Sequence, residues 1–442
     1  MKEEMLDLKS ELEESLQVAS VDTKLNTDVR NLFYEVSETK MVHGEGIYLY
    51  DENGKSYIDC ASATFNMSLG YGHPMVLQAV KDQMERLVHV TSSFQTEPIN
   101  AVAQKLVELS PKNLTKVHPK VSSGSVANEG AIKLAQQITG KKGVITLFRS
   151  HLGQTMMMTS LSGNAFRKEP LLHLFPGGIQ VPDPYCHRCF YKQKPETCNL
   201  LCVERIYDFI EFGSCGDIAC VVVEPISGNG GNIIPPPEYF QALKKLCDEK
   251  DIILIFDEIQ TGIGRTGKMF AAEHFDVEPN MMTVAKGIGG SGFQFAAILT
   301  EERLSHVEDF QHSFTFGANL IAAAAAAKTL EIVSQPEFLK NVEVVGNYIM
   351  QRLREMKEKY AFISDVRGLG LMIGVEISDS EGNPDRDLTN YIAKIAMNHG
   401  LFIRTSRYGR GNVFKIRPPL IITLEESERL CDQLDKVLRE IQ

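Results

Sequence analysis

A chain of 442 residues, 43% of them apolar and 23% charged, is long enough for a large core and for two domains. Its formal net charge of −11 argues against a nucleic-acid partner, because a phosphate-binding surface is normally basic. No apolar run approaches the roughly 18 residues that span a bilayer, so no membrane partner is expected and the protein is expected in the cytoplasm.

Residues 1 to about 40, opening MKEEMLDLKSELEESL, read as an amphipathic helix and an extended lead-in, without the apolar core of a signal peptide. GIYLYDENGKSYID is a hairpin signal, two alternating runs about an Asn-Gly turn. CASATFNMSLGYGHP then reads as a loop ending at His73 and Pro74. PMVLQAVKDQMERL and EPINAVAQKLVEL have helical periods. In VSSGSVANEGAIKLAQQITG small residues lead straight into a helix. Its open amides and positive dipole end suit a phosphate, with Ser123 and Ser125 as hydroxyl donors; a serine-capped helix without a ligand is the competing reading.

KKGVITLFRSHLGQT supplies a strand and a loop. Between about 164 and 206 the pattern departs from a compact α/β repeat, and Cys186, Cys189, Cys198 and Cys202 fall within PDPYCHRCFYKQKPETCNLLCV. Four thiolates can close a tetrahedral metal site, but the spacing is poor for a zinc ribbon. Nine cysteines, an odd number spread through a long chain, form no secreted disulfide framework. Reduced thiols or a local disulfide are therefore favoured, and no metal is expected. ACVVVEPISGNGG, PPPEYFQALKKLCDEKD and IILIFDEIQTG alternate strand, helix and strand, the pattern of a mostly parallel sheet.

The stretch from 252 to 290 carries the chemistry. IILIF breaks into DEIQTGIGRTG, and MMTVAKGIGGSG repeats the design of apolar run, polar residue and glycines. Asp257 and Lys286 thus lie just past two strand ends, where open α/β sheets place ligands. An acid and a lysine there suggest pyridoxal phosphate: the amine can hold the cofactor as a Schiff base, and the carboxylate can keep the pyridine nitrogen protonated. A strand-end salt bridge is the competing reading. FQFAAILT follows as a strand, and six alanines, Ala322 to Ala327, favour a closely packed helix. The last 110 residues read as long helices, the RGLGLMIGVEI segment, an extended run and a C-terminal helix.

DEIQTGIGRTG followed by AKGIGG resembles the signature of the class III aminotransferases, with Ile259 where valine is commoner. The resemblance runs along nearly the whole chain. It implies an α/β protein of the PLP-dependent transferase fold type I, a mostly parallel central sheet flanked by helices plus a smaller α+β domain. The implied division is an N-terminal part of the small domain with dimer contacts (1–67), a large cofactor domain (68–316) and a C-terminal small domain (317–442). The same match implies a homodimer with shared active sites.

The match implies roles residue by residue. Lys286 and Asp257 are the expected catalytic pair. Gly124 and Ser125 match a phosphate-binding motif in which Val126 replaces an acid. His151 takes the place of a ring-stacking aromatic, with Leu152 where the family has histidine. Glu224 matches a strand-end glutamate, Gln260 a residue that bonds the cofactor ring oxygen, and Thr315 one that reaches the phosphate of the neighbouring subunit. Thr64, Phe65 and Asn66 are expected to face substrate. Gly368 and Gly370 match a motif of tight backbone approach in which Arg367 is structural.

Two departures bear on substrate. Many relatives place a carboxylate-binding arginine three residues before Pro-Pro-Leu; this chain has Lys415 there, with Arg417 two places on. Relatives that neutralise that arginine carry a glutamate where this chain has Asn229. Lysine does not replace arginine in bidentate recognition, which speaks against standard α-amino-acid handling; on a reading of elimination from a phosphorylated amine, Lys415, with Arg404 or Arg407 nearby, is expected to meet a phosphate or another anion. The expected reaction is transfer of an amino group from a primary amine or amino acid to an aldehyde or keto acceptor, an amino-sugar aldehyde among the candidates, through the Lys286 Schiff base and pyridoxamine phosphate. GNVFKIRPPL and GGNIIPPPEYF also look similar to a phospholyase branch of the family, which makes elimination from a phosphorylated amine the alternative. A non-catalytic pyridoxal-phosphate-binding protein is the third reading.

Overall fold

The computed structural model describes residues 39–168, 177–305, 311–406 and 411–442. The expected N-terminal helix and Arg407 lie outside them. The described chain falls into two units, one holding residues 39–43 and 50–55 and the other residues 44–49 and 56–442. In the first, the Asp51 carboxylate accepts from the amides of Asn53 at 2.9 Å and Lys55 at 3.0 Å, which shapes the Asn-Gly turn.

The larger unit is built on a seven-stranded sheet. In chain order after β1 (Met41–Glu45), β2 (Tyr48–Asp51) and β3 (Ser56–Asp59), its strands are β4 (Lys116–Val121), β5 (Gly143–Leu147), β6 (Gly178–Val181), β7 (Ile218–Val223), β8 (Ile253–Asp257), β9 (Met281–Val284) and β10 (Ala296–Thr300). They lie in the order β4-β10-β9-β8-β7-β5-β6. The run from β9 to β6 is parallel, while β10 is antiparallel to both of its neighbours. Strands buried on both faces explain the unbroken apolar runs IACVVV and ILIF, as expected of a sheet covered by helices on each side.

The two faces have separate cores, assigned by the period-two alternation of strand side chains. Leu254 and Phe256 join Val221 and Val223 on one face. Ile253 and Ile255 join Val222 and Cys220 on the other, beneath Ala127, Ala131 and Ile132 of the helix Gly124–Thr139. Asp257 shares the parity of Ile253 and Ile255, so it leaves the sheet on the side of that helix. The alanine-rich helix Leu320–Val333 buries Ala322, Ala323, Ala325 and Ala326 in the first core.

A second sheet carries the C-terminal region: β11 (Ile363–Leu369), β12 (Met372–Ile377), β14 (Arg404–Thr405) and β15 (Val413–Ile416), in the order β11-β12-β15-β14 and antiparallel throughout. The helices Pro336–Lys359 and Leu424–Ile441 share its core. Ile47 and Ile58 join that core, and β13 (Leu401–Phe402) pairs in parallel with β3 (Ser56–Asp59). The turn between β11 and β12 rests on the loop that follows β8. Gly370 has φ +52, and a Cβ there would stand 2.4 Å from the Thr266 carbonyl carbon. Leu371 N donates to Arg265 O beside it at 3.0 Å. Gly370→Ala is expected to cost roughly 1–3 kcal/mol, from strain plus lost contact; denaturant melts of the purified protein would check it.

Candidate active site

Because β7, β8 and β9 are adjacent and parallel, their C-terminal ends open on one edge of the sheet. Glu224 follows β7, Asp257 ends β8 and Lys286 follows β9 by two residues. All three line a cavity of about 460 Å³, together with Gly124, Ser125, His151, Leu152, Gly153, Ile259 and Gln260.

Asp257 is fixed from two sides. Its Oδ2 accepts from Asn128 Nδ2 at 2.7 Å and its Oδ1 from Ile259 N at 3.0 Å. Asn128 is held in turn, receiving a bond from Thr283 Oγ1 at 2.7 Å and giving one to Leu152 O at 2.8 Å. Burial pushes the Asp257 carboxyl up, against the Asn128 bond and the Lys286 charge, which both favour the anion. Glu224 clamps two loops, accepting from His151 N at 3.0 Å and Gly228 N at 2.9 Å. Burial and then the Asp257 charge raise its pKa to about 7.

Lys286 has a left-handed backbone, φ +49, a conformation that costs a non-glycine residue of order 1–3 kcal/mol and clusters at functional sites. The turn after it is held by Ser68, whose hydroxyl donates to Gly287 O, and by Leu69 N donating to Gly290 O at 3.0 Å. Burial lowers the Lys286 ammonium to about 8, outweighing the Asp257 and Glu224 charges that favour it. His151 is held neutral, at about 3, by burial and then by the Lys286 charge.

The opposite wall is open backbone. Ser123 caps the helix Gly124–Thr139 through a bond from Val126 N, and Ser125 Oγ accepts from Gln154 N at 3.0 Å. A Cβ on Gly124 would come 2.9 Å from Ile259, and one on Gly153 would come 2.5 Å from Ser125 Oγ. A helix N-terminus with bare backbone and two hydroxyls suits a phosphate. A partly exposed lysine and a fixed acid across from it suit a pyridine aldehyde, so the residues present fit pyridoxal phosphate.

The other expected residues are placed unevenly. Phe65 lies under three cations: Arg417 Cζ at 3.6 Å, Lys286 Nζ at 5.6 Å and Arg404 Cζ at 5.7 Å from its ring centroid. Thr64 is exposed, and Asn66 Oδ1 accepts from its hydroxyl at 3.1 Å. Thr315 is exposed and lies off the cavity wall of its own chain, and Asn319 rather than Thr315 caps the helix that follows. Lys415 is buried opposite Gly374 and Arg404 in the second sheet, and burial followed by the Arg417 charge pulls its pKa well down. Arg367 is structural in its contacts, bonded to Asp365, Glu376 and Gly231 O. The four clustered cysteines line a separate pocket of about 400 Å³, and among the described residues no set of three potential ligands is arranged to hold a metal ion.

Sequence reasoning passed over Asn128 and gave Arg417 only a position. Both had a signal. Asn128 stands three and four residues after Ser125 and Gly124 on one helix, hence on their face. Arg417 shares the parity of Lys415, and the residue before a proline is held extended.

The chain matches the sequence profile of the aminotransferase class-III family over residues 33–438. The chain belongs to the class III aminotransferases. It is a pyridoxal-phosphate-dependent enzyme of transaminase type, with the fold type I architecture. A leucine/methionine racemase from Thermococcus litoralis is 35% identical over 410 residues, 91% of this chain and 90% of that protein. An acetylornithine aminotransferase from Methanocaldococcus jannaschii is 34% identical over 409 residues, 91% and 94% of the two chains. Among solved structures, a transaminase from the marine bacterium Virgibacillus superposes with TM-score 0.85 at 28% identity, covering 94% of this chain and 96% of that one. An amine transaminase from an uncultivated Pseudomonas species, with pyridoxal phosphate bound, has TM-score 0.85 at 26% identity, covering 92% and 96%.

Two outcomes follow from the class III aminotransferase site. Asn128→Ala leaves one Asp257 oxygen without its donor, a cost of about 1–3 kcal/mol, so kcat/KM should fall roughly ten- to hundredfold; steady-state kinetics of the variant would show it. With Lys286 as the expected carrier, capture of pyridoxal phosphate by the apoenzyme would need its neutral amine, so the rate should rise with pH through about 8. Because the Glu224 charge favours the ammonium, Glu224→Gln should move that midpoint to lower pH; stopped-flow absorbance across pH 6 to 10 measures both.

Proposed function

We propose that this enzyme moves an amino group from a primary amine or amino acid donor to an aldehyde or keto acceptor, with Lys286 as the cofactor-carrying residue. The observation that carries this reading is the shared cavity wall of Lys286, Asp257 and Glu224 facing the N-terminus of the helix Gly124–Thr139. When bound, pyridoxal phosphate supplies an aldehyde that captures amines and a ring that accepts electrons. Gly124 and Ser125 would hold its phosphate, His151 would stack on its ring, and Asp257 would keep its ring nitrogen protonated. Gln260 donates to the ring oxygen, and Glu224 keeps the His151 loop in place through the backbone bond at 3.0 Å.

Displaced by an incoming amine, the Lys286 amino group is free to move the proton at the substrate carbon. Its lowered pKa of about 8 leaves a substantial neutral fraction near neutral pH. Thr315, exposed on its own chain, supplies a phosphate contact across a homodimer interface, which makes the dimer the active form. Cytoplasmic residence and small-molecule amine and carbonyl partners belong to the same reading. Substrate entry past Phe65 and Asn66 brings an anionic group within the field of Lys415 and Arg404.

A second reading is racemisation at the same carbon, favoured by the racemase among the relatives. It needs the same proton shuttle and no acceptor. The purified enzyme mixed with an amino donor should accumulate the pyridoxamine form of the cofactor, reversed by a keto acid, and Lys286→Ala should lose the absorbance of the lysine-bound cofactor. Appearance of the mirror-image amino acid without a keto acid would support racemisation, and release of phosphate from a phosphorylated amine would support elimination. No transfer to any keto acid from any donor would refute the first reading.

A further inference from the structure

The segment 182–190, which follows β6 and departs from the α/β repeat, brings one aromatic residue to a place where three parts of the chain meet. Tyr185 is 7% exposed and meets two guanidinium groups, Arg149 Cζ at 5.1 Å and Arg367 Cζ at 5.0 Å from its ring centroid. Its hydroxyl donates to Glu376 Oε2 in β12. Glu376 also accepts from Arg188 Nε, from Arg367 Nη1 at 2.8 Å and from Asn412 Nδ2 at 3.2 Å. Burial by itself would raise the Glu376 carboxyl, yet the Arg367 charge and the bonds from Tyr185 and Arg188 hold it down to about 2. The second sheet thus offers the segment a lasting anionic anchor.

Both arginines lead back to the candidate active site. Arg149 stands two residues before His151 on the loop that follows β5, and its backbone is left-handed, φ +62. Such a conformation persists in a non-glycine residue only where the surroundings over-determine it. Asp183 supplies part of that hold, for its Oδ1 accepts from Arg149 Nη1 and its side chain is 1% exposed. Arg149 also closes on the turn after Glu224, where a Cβ on Gly230 would come 3.1 Å from the Arg149 Cβ. Arg367 reaches the same turn, its Nε donating to Gly231 O at 3.0 Å. At the head of that turn the Glu224 carboxylate accepts from His151 N at 3.0 Å.

Two routes from β12 therefore converge on His151, one through Tyr185 and Arg149, the other through Arg367 and the Glu224 turn. His151 is on the cavity wall, whereas Tyr185, Arg149 and Asp183 are not. What these three do for the chemistry they do through His151.

We propose that Tyr185 is a positioning residue for the cofactor ring: by tying Arg149 to Glu376 it holds the loop in the conformation that His151 needs to stack on that ring. This rests on the reading of His151 as the stacking residue. Small displacements of a group that orients a reacting partner have large effects, and such a group is held by the contacts behind it. The hydroxyl bond and the ring contacts of Tyr185 are directional, so phenylalanine keeps the ring contacts and loses the anchor, while leucine loses both.

The test compares the apoenzyme with its cofactor-loaded form for the wild type, Tyr185→Phe, Tyr185→Leu, His151→Ala and the double variant of the last two. Each is melted without cofactor, titrated with pyridoxal phosphate by its absorbance, and read by visible circular dichroism of the bound cofactor. Tyr185→Leu should weaken cofactor binding about tenfold, the loss of two cation–ring contacts, and shrink the dichroic band; Tyr185→Phe should keep most of both. His151→Ala should weaken binding too, and adding Tyr185→Leu to it should cost at most about twofold more. Where Tyr185→Leu does not fold, Arg149→Lys keeps the charge without the planar fork and should weaken binding about threefold. A Tyr185→Leu protein that melts lower without cofactor yet binds it as the wild type does would make Tyr185 merely structural and overturn the inference, as would equal losses with and without His151. Unchanged affinity and dichroism in His151→Ala alone would sink the stacking reading on which the inference rests.

Discussion

One opposition governs this structure: a half-buried lysine amine and two buried carboxylates at the ends of three neighbouring strands. Parallel pairing of β7, β8 and β9 brings Glu224, Asp257 and Lys286 to the same edge. In that setting charge is expensive and each group answers to the others. Glu224 is raised to about 7 and Lys286 lowered to about 8, so both stand near the point where a proton can be given or taken. The bonds from Asn128 and Ile259 favour the anion of the third member, against the larger pull of its burial.

Around that core the fold supplies two unlike walls. One is bare backbone and hydroxyl at a helix N-terminus, where glycines at 124 and 153 leave no room for a Cβ. The other, behind Gln260 rather than on the cavity lining, is cationic: Arg417, bonded to Gln260, with Arg404 and Lys415 paired in the second sheet. The surroundings are thus electrostatically sided, with open amides and hydroxyls at a helix N-terminus on one flank and the basic side chains of Arg404 and Arg417 acting on Lys286 from another. Phe65 and Lys286 both have positive φ, and the segments beside them are held by side-chain bonds from Asp59 and Ser68, which do not line the cavity. Such pinning keeps reacting groups in place without reorganisation.

Much of this was legible beforehand. Apolar runs ending in DEIQTG and AKGIGG declared two strand ends with an acid and a lysine, and VSSGSVANEG declared a capped helix. These signals are local, since strand period, cap chemistry and glycine placement act over a few residues. The neighbouring acids Asp257 and Glu258 show the limit of local reading. Alternation sends them to opposite sides, and Glu258 is bonded by Thr261 and Ala272 N away from the cavity. Lys415 and Arg417 gave the opposite difficulty: lysine occupied the place where the family has arginine, and the arginine two residues on proved to be the one over Phe65.

The sequence by itself determined the family, the cofactor and the elements that carry each reactive group, because these depend on motifs and periods contained within single segments. Only the tertiary structure decided that Asn128 answers Asp257, 129 residues away, and that Arg417 answers Gln260, 157 residues away. Contacts between distant segments depend on sheet order and on which face each helix covers. The charges around a buried arginine such as Arg417 are likewise a property of the assembled neighbourhood rather than of any stretch of chain.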